Sequence, residues 1–364
     1  MYLLPELLRH VGQDPNPAAM RFMALGFVLS DWAARRGLSS RSLAWGVDRV
    51  LRALELGQLE VVFDAYGRQS GHVLWTGCDD DLHQRLLAGG PDVAGPLELG
   101  RGPILWVLDA ALRNGVLDAA LLALRDRVWP QADEIFYFRA RPAGLQARML
   151  VRTPQLALFR RAGAAADPQS AEMALRASTR QGHAARAELA AAAELGRILW
   201  LLRRCATFSR APLGAAMARV RAPMRQGLTR LHCDAQGEPL AFMSWGWMQP
   251  HGLTAEAAPL HALPAPRWSD GTALVLCDAV AAAGAVAWVD QTLRGDWFAQ
   301  EPLHLYPTDW QPGLRSVGVC WAADERVSGW ADALAAAAAQ DSRAVVDVAR
   351  VLAASRAGNG GADV

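Results

Sequence analysis

The stretch PILWVLDAALRNG, residues 103–115, joins a short apolar segment to a single carboxylate, Asp109. A near-copy, TALVLCDAVAAAG, occupies residues 272–284 and carries Asp278 at the corresponding place. The apolar run before each carboxylate is typical of a buried strand. A charge at the end of such a strand costs free energy unless it meets a cleft, a partner or a hydrogen-bond donor. Each aspartate is therefore expected to meet such a partner, and capping of the following helix would be one role of this kind.

The two stretches belong to a longer internal repeat. When the sequence is shifted against itself, glycine, leucine and tryptophan positions align at one constant offset, which later slips by a single position. A shared offset over so much of the chain predicts two copies of one domain. The aligned pairs include Leu25 with Leu195, Gly26 with Gly196, Gly57 with Gly227, Trp75 with Trp245, Asp109 with Asp278 and Gly115 with Gly284.

Both copies show the same order of predicted elements. Two amphipathic helices come first, then a hairpin, the apolar strand with its aspartate, a helix and two closing strands. In the first copy the helix after Asp109 is predicted over 116–129, and the chain is predicted to end in one long helix with a frayed tail. The expected fold class is α+β, with a mixed, mainly antiparallel sheet and packed helices in each domain. The predicted boundaries are 1–160 for the first domain, 161–186 for a linker, 187–325 for the second domain and 326–364 for the C-terminal helix and tail.

Composition excludes several classes of function. The chain has 364 residues, 52% of them apolar, and a net charge of +1 without a basic block. Nucleic acid is therefore not an expected partner, and no membrane span is expected. The N-terminus lacks the pattern of a secretory signal, so a cytoplasmic protein is expected. The five cysteines are scattered and lack metal-ligand spacing, so we predict reduced thiols and no metal site.

All 37 basic residues are arginine, and lysine is absent. A GC-rich genome explains this, because isoleucine and asparagine are also scarce. A second explanation is chemical, because arginine stays charged and is a poor nucleophile, whereas a neutral lysine amine is nucleophilic.

The pieces LGRILWLL, PLAFMSWGW and LVLCDAVAAAG of the second copy resemble the RTX toxin-activating lysine acyltransferases. The corresponding pieces of the first copy are LGFVLSDW, HVLWTG and LWVLDAALRNG. The resemblance covers about residues 20–152 and 190–322. It implies a fold similar to the GNAT acetyltransferases, in two tandem domains.

The resemblance also implies an activity and its partners. Members of the family transfer a fatty acyl group from an acyl carrier protein thioester to a lysine of a protoxin, and relatives acylate lysine or ornithine of ribosomally made peptides. No bound cofactor is implied, and a homodimer is an expected oligomer. The catalytic aspartate of the family carries over to Asp278 and Asp109, so the resemblance implies that these two residues are catalytic. Trp245, Trp75 and Ser244 are predicted to contact substrate.

The family histidine, in a Ser-Pro-x-His context, does not carry over. Its aligned regions are RRGLSSRS near Leu38 and CATFSRAP near Phe208, and neither contains histidine. An aspartate would then act alone or with a histidine from elsewhere, and His72, His232, His251 and His261 are the candidates, although a lone histidine is more often structural.

Three functions stay open at this point. The first is a fatty acyltransferase acting on side-chain amines, with one or both copies active. The second is an inert tandem pseudo-acyltransferase that binds a carrier protein, a peptide or a partner acyltransferase. The third, an acetyl-CoA enzyme, is disfavoured because neither copy has a glycine-rich pyrophosphate loop before a helix.

Overall fold

The structure is a computed structural model, which describes part of the chain. The described residues are 2–64, 66–113, 124, 128–130, 132–141, 144–151, 179–249, 269, 271–295, 298, 303–305, 319–321, 334–336, 339 and 344–359. They form two compact units. Unit 1 comprises Met1–Asp31 and Trp45–Gly196, and unit 2 comprises Trp32–Ala44 and Arg197–Val364.

Unit 1 is built on a six-stranded sheet with the strand order β1-β2-β3-β4-β5-β6. The strands are β1 Tyr2–Leu3, β2 Leu59–Phe63, β3 Gln69–Cys78, β4 Ile104–Leu112, β5 Glu134–Arg141 and β6 Gly144–Val151. The helices are α1 Leu4–His10, α2 Pro17–Ala34, α3 Leu43–Glu55 and α4 Asp80–Gly89, and two 3-10 turns follow at Pro91–Val93 and Pro96–Glu98. Helix α5, Thr179–Arg204, begins in unit 1 and ends in unit 2.

Unit 2 contains a sheet of order β11-β10-β9-β8-β7, and β12 pairs with β9. Its strands are β7 Thr229–Cys233, β8 Pro239–Met248, β9 Ala273–Ala282, β10 Leu303–Leu305, β11 Val319–Trp321 and β12 Val345–Asp347. Its helices are α6 Ala206–Ser209, α7 Leu213–Arg225, α8 Val286–Arg294 and α9 Val348–Asn359, and a 3-10 turn at Ala283–Ala285 precedes α8. Helix α8 buries Val286, Val289 and Leu293, whose spacing puts them on one helical face.

The prediction of mixed sheets with packed helices is confirmed. In unit 1, β4 pairs with β5 in parallel and the other neighbours are antiparallel. Unit 2 repeats this pattern, because β9 and β10 are the parallel pair and β7, β8 and β11 run antiparallel to their neighbours. The two sheets therefore share strand order and direction over five strands.

The aligned glycines have a packing role that composition alone does not reveal. A Cβ added to Gly26 of α2 would lie 2.0 Å from the backbone oxygen of Ala192. A Cβ added to Gly196 would lie 1.9 Å from the backbone oxygen of Phe22. Phe22 and Ala192 are themselves aligned by the repeat that aligns the two glycines, so the contact is reciprocal. Only glycine permits this approach of two helix backbones.

Several expectations about elements need correction. Strand β4 continues past Asp109 to Leu112, and β9 continues past Asp278 to Ala282, so neither aspartate ends its strand. The single long C-terminal helix is wrong, because β12 pairs with β9 before α9 begins. Most of the helix predicted over 116–129 lies outside the described residues.

The compact units also differ from the expected domain boundaries. Residues 32–44 group with unit 2, and α5 begins at Thr179, inside the expected linker. The boundaries at 160, 187 and 325 stay predictions.

Candidate active site

A β-bulge determines where each aspartate side chain lies. In unit 1 Leu74 pairs with Asp109 and Trp75 pairs with Val107, so Leu108 is the extra residue. The extra residue breaks the alternation of β4. Asp109 therefore shares a sheet face with Leu74 and His72 of β3, whereas Trp75 lies on the opposite face.

The bulge brings Asp109 against a histidine. Nε2 of His72 lies 2.8 Å from Oδ2 of Asp109, which is hydrogen-bond distance. The His72 side chain is completely buried, and 17% of the Asp109 side chain is exposed. Asp109 is thus the member of the pair that reaches solvent, and the hydrogen bond to the buried imidazole of His72 holds its carboxylate in place.

A second carboxylate faces the other nitrogen of the same ring. Oδ2 of Asp31, on α2, lies 3.8 Å from Nδ1 of His72, within ion-pair range but too long for a hydrogen bond. The Asp31 side chain is 34% exposed. Helix α2 therefore contributes the Asp31 carboxylate, β3 contributes the buried His72 imidazole, and β4 contributes the Asp109 carboxylate. The pairing of Asp31 with the His72 ring was missed by sequence reasoning, because no spacing motif links two positions so far apart in the chain.

The corresponding aspartate of unit 2 has different partners. Ser244 pairs with Asp278 and Trp245 pairs with Leu276, so the same bulge recurs at Cys277. Nε of Arg219 donates to Asp278 Oδ1 at 2.7 Å, and the Ser244 hydroxyl donates to Asp278 Oδ2 at 2.9 Å. Only 2% of the Asp278 side chain is exposed.

The Arg219 guanidinium also donates to the backbone oxygen of Cys277, next to the carboxylate. Both carboxylate oxygens of Asp278 thus accept hydrogen bonds in a buried site. Asp347 lies nearby, and burial, with a smaller contribution from the Asp278 charge, raises the pKa of its carboxyl group. Its Oδ1 accepts from the Arg350 amide at 3.1 Å, which caps α9.

The remaining predicted site residues lie as follows. Trp75 is buried and packs edge to face on Trp129, and Trp245 is buried and packs edge to face on Phe298. Neither tryptophan shares the face of its aspartate, and their substrate contacts stay predictions. His232 of β7 stacks on Trp288 with ring centroids 5.1 Å apart, whereas His251 and His261 lie outside the described residues.

Cys78, Cys205, Cys233 and Cys277 are free thiols. Burial raises the pKa of Cys277, so its thiol is a poor nucleophile. Across the described part of the chain, no group of three or more His, Cys, Asp or Glu side chains is arranged to hold a metal. Among the same residues, no helix is long and apolar enough to cross a membrane.

The strand that carries Asp278 falls within a recognisable family segment. Residues 187–312 match the RTX toxin acyltransferase family. The segment contains Ser244, Trp245 and Asp278, and it does not contain Asp31, His72 or Asp109. The match supports acyl transfer as the general activity, in agreement with the resemblance found from the sequence. No curated protein matches the chain.

The family match and the histidine–aspartate pair thus fall in different parts of the chain. In the matched segment, Asp278 is buried and hydrogen-bonded to Arg219 and Ser244. The part outside the match has an aspartate that is bonded to a histidine and partly open to solvent.

Proposed function

We propose that the protein transfers a fatty acyl group from an acyl carrier protein thioester to a side-chain amine, lysine or ornithine, of a protoxin or ribosomally made peptide. The observation that carries this proposal is the hydrogen-bonded pair of His72 and the partly exposed Asp109. The match of residues 187–312 supports acyl transfer. The donor and the acceptor follow from the family resemblance, and the pair supplies the chemistry that amine acylation needs.

Amine acylation requires a neutral amine and a base that takes its proton. The amine nitrogen attacks the thioester carbonyl carbon, the carbon–sulfur bond breaks, an amide forms and the carrier thiol leaves. Asp109 is the catalytic residue in this scheme, because its carboxylate reaches solvent and accepts the amine proton. His72 is a positioning residue that holds the carboxylate. A base of this kind contributes about 10²–10⁴-fold, and alignment of amine and thioester contributes about 7–11 kcal/mol.

An apolar row that begins near Asp109 and ends in an exposed side chain suits the acyl chain of the donor. One row across the sheet joins Thr76, Trp106, Phe136 and Met149, on the same face as Asp109. The ring centroids of Trp106 and Phe136 lie 5.1 Å apart in a stacked arrangement. Met149 is 48% exposed. Thr76 and Trp106 are fully buried, so the part of this row that would contact an aliphatic chain is Phe136 and Met149.

The two aspartates have separate roles in this proposal. We infer a tandem duplication of a GNAT-like domain, supported by the shared strand order and the recurring bulge. Asp278 stabilises its unit, because its buried carboxylate is hydrogen-bonded to a guanidinium and a hydroxyl and is not accessible to a substrate. The first copy carries the reaction.

The test compares Asp109→Asn with Asp278→Asn in the full chain. Acyl carrier protein loaded with a long-chain acyl group is the donor, lysine and ornithine peptides are acceptors, and intact mass reports acylated peptide. Asp109→Asn should lower turnover by about 100-fold or more, since the general base is lost. Asp278→Asn should keep turnover per folded molecule, measured at a temperature where circular dichroism shows it folded.

Full activity of folded Asp109→Asn would contradict the assignment of the site. Loss of turnover in Asp278→Asn alone would assign the reaction to the second copy instead.

A further inference from the structure

We propose that Nε2 of His83 donates a hydrogen bond to the thioester carbonyl oxygen during acyl transfer, which makes His83 a second catalytic residue beside Asp109. This inference rests on the proposed function and names the group that stabilises the negative charge on that oxygen. His83 lies on α4, outside the matched residues 187–312.

The start of α4 places His83 over the sheet. Strand β3 ends at Cys78, and the Asp79 side chain accepts from the Leu82 amide at 2.9 Å, which caps the helix at the next residue. His83 therefore lies in the first turns of α4, where its ring meets the Trp106 indole of β4.

The indole determines which nitrogen of the His83 ring carries the proton. Nε1 of Trp106 donates to Nδ1 of His83 at 3.0 Å. Because an indole nitrogen can only donate, Nδ1 is the acceptor, and the ring is neutral with its proton on Nε2. Among the residues that the structure describes, Nε2 has no hydrogen-bond partner, and the His83 side chain is half-buried. Its N–H is therefore available to a bound molecule.

The imidazole lies on the same sheet face as the proposed base. In the register of β3 and β4, Trp106 and Asp109 face the same way, two β3 positions and about 7 Å apart. The ring centroid of His83 lies 4.8 Å from that of Phe136, which belongs to the proposed acyl-chain row. An acyl chain on Phe136 with its amine acceptor at Asp109 would put the carbonyl group between the carboxylate and the imidazole.

The chemistry of the step needs a donor at this place. When the amine nitrogen attacks the carbonyl carbon, the carbonyl oxygen gains negative charge, which a hydrogen bond from Nε2 stabilises. The proton stays on Nε2, so His83 is unchanged after the reaction. Asp109 takes the amine proton and gives it to the sulfur as the carbon–sulfur bond breaks, which returns the carboxylate to its anionic form. A neutral imidazole suits this role, because it donates without losing its proton.

The second copy lacks the indole that fixes the imidazole. The repeat aligns Trp106 with Val275, which is fully buried and has no side-chain N–H. The strand register agrees, because Trp106 pairs with Thr76 and Val275 pairs with Gly246, and the repeat aligns these partners as well. The indole therefore occurs in the copy whose aspartate is partly exposed.

The test compares His83→Ala and His83→Gln with the control His10→Ala, which removes another ring of unit 1 that packs on Tyr2. Steady-state kinetics with the loaded carrier protein and the lysine peptide give kcat and KM separately. His83→Ala should lower kcat by about 100-fold, the effect of one lost oxyanion donor, and leave KM nearly unchanged. His83→Gln should restore part of kcat, since its amide offers both an acceptor for the indole and an N–H donor. His10→Ala should keep kcat.

Two comparisons separate a catalytic role of His83 from a structural one. Trp106→Phe removes the same hydrogen bond and keeps the imidazole, so its kcat should fall much less than that of His83→Ala. A dithioester donor replaces the carbonyl oxygen by sulfur, a weaker hydrogen-bond acceptor. The wild type should therefore prefer the thioester, and His83→Ala should lose most of that preference.

Nitrogen NMR of labelled histidine gives a readout that does not depend on activity, with Nε2 of His83 expected to be protonated and Nδ1 not. A proton on Nδ1, a kcat of His83→Ala within about twofold of the wild type, or equal losses in Trp106→Phe and His83→Ala would overturn the inference. If His83→Ala does not fold, the dithioester comparison in His83→Gln decides, and an unchanged preference for the thioester is the contrary result. Full activity of folded Asp109→Asn, or a wild type without turnover, would instead contradict the proposed function itself.

Discussion

Removal of Arg219 tests whether Asp278 is a structural charge. Arg219→Met leaves a carboxylate that is 2% exposed with Ser244 as its remaining side-chain donor. Breaking a buried ion pair on one side costs about 3–5 kcal/mol, because the other charge stays buried without compensation. The double variant Arg219→Met with Asp278→Leu removes both charges. The free energy of unfolding of this double variant should lie within about 2 kcal/mol of that of the wild type, because replacing a buried ion pair by apolar side chains is often neutral.

The chain supplies a matched control in Arg49, which the repeat aligns with Arg219. Arg49 is also buried, and it donates to the backbone oxygens of Ala94 and Pro91. Arg49→Met leaves unsatisfied carbonyls, while the nearby, partly exposed Glu98 keeps its ion pair with Arg85, so the expected loss of folding free energy is about 1–3 kcal/mol. The expected difference between the two arginine variants is therefore about 2 kcal/mol.

Urea unfolding followed by circular dichroism measures this difference, and hydrogen exchange of β8 and β9 peptides assigns the change to unit 2. The folded double variant should keep acyl transfer. Equal costs for Arg219→Met and Arg49→Met, or a double variant as unstable as Arg219→Met, would refute the argument from buried charge.

Two further predictions concern other parts of the chain. Gly26→Ala should lower the free energy of unfolding by about 1–3 kcal/mol, because its Cβ would overlap the Ala192 backbone oxygen. Gly284→Ala is the control, since the space around its added Cβ is open. Equal effects of the two substitutions on urea unfolding would contradict the close helix contact. Arg113→Lys should become acylated by the carrier thioester in an intact-mass assay, because residue 113 is exposed just after β4, four positions beyond Asp109, and lysine is nucleophilic when neutral. An unmodified, active Arg113→Lys would leave genome composition as the reason for the missing lysines.

Much of the architecture could be predicted from local sequence. Periodicity and turn residues indicated the two helices, the hairpin and the apolar strand of each copy, because these signals depend on neighbours in the chain. Gly57 and Gly227, which the repeat aligns, follow α3 and α7, and both have positive φ, at 66° and 69°. The C-terminal strand β12 was not predicted, since Val345–Asp347 adopts its form by pairing with β9.

The sequence alone determined that Asp109 and Asp278 are corresponding positions, because the repeat and the apolar run around each are readable from neighbours. Only the tertiary structure decided what each carboxylate does. Asp109 meets His72 across a strand pair, and Asp278 meets Arg219 from a helix that lies well before it in the chain. The bulge selects the face on which each carboxylate lies, and long-range packing selects the imidazole or the guanidinium that it meets. Packing of the surrounding chain leaves Asp109 partly exposed to solvent and buries Asp278. No local pattern of residues encodes that difference in burial.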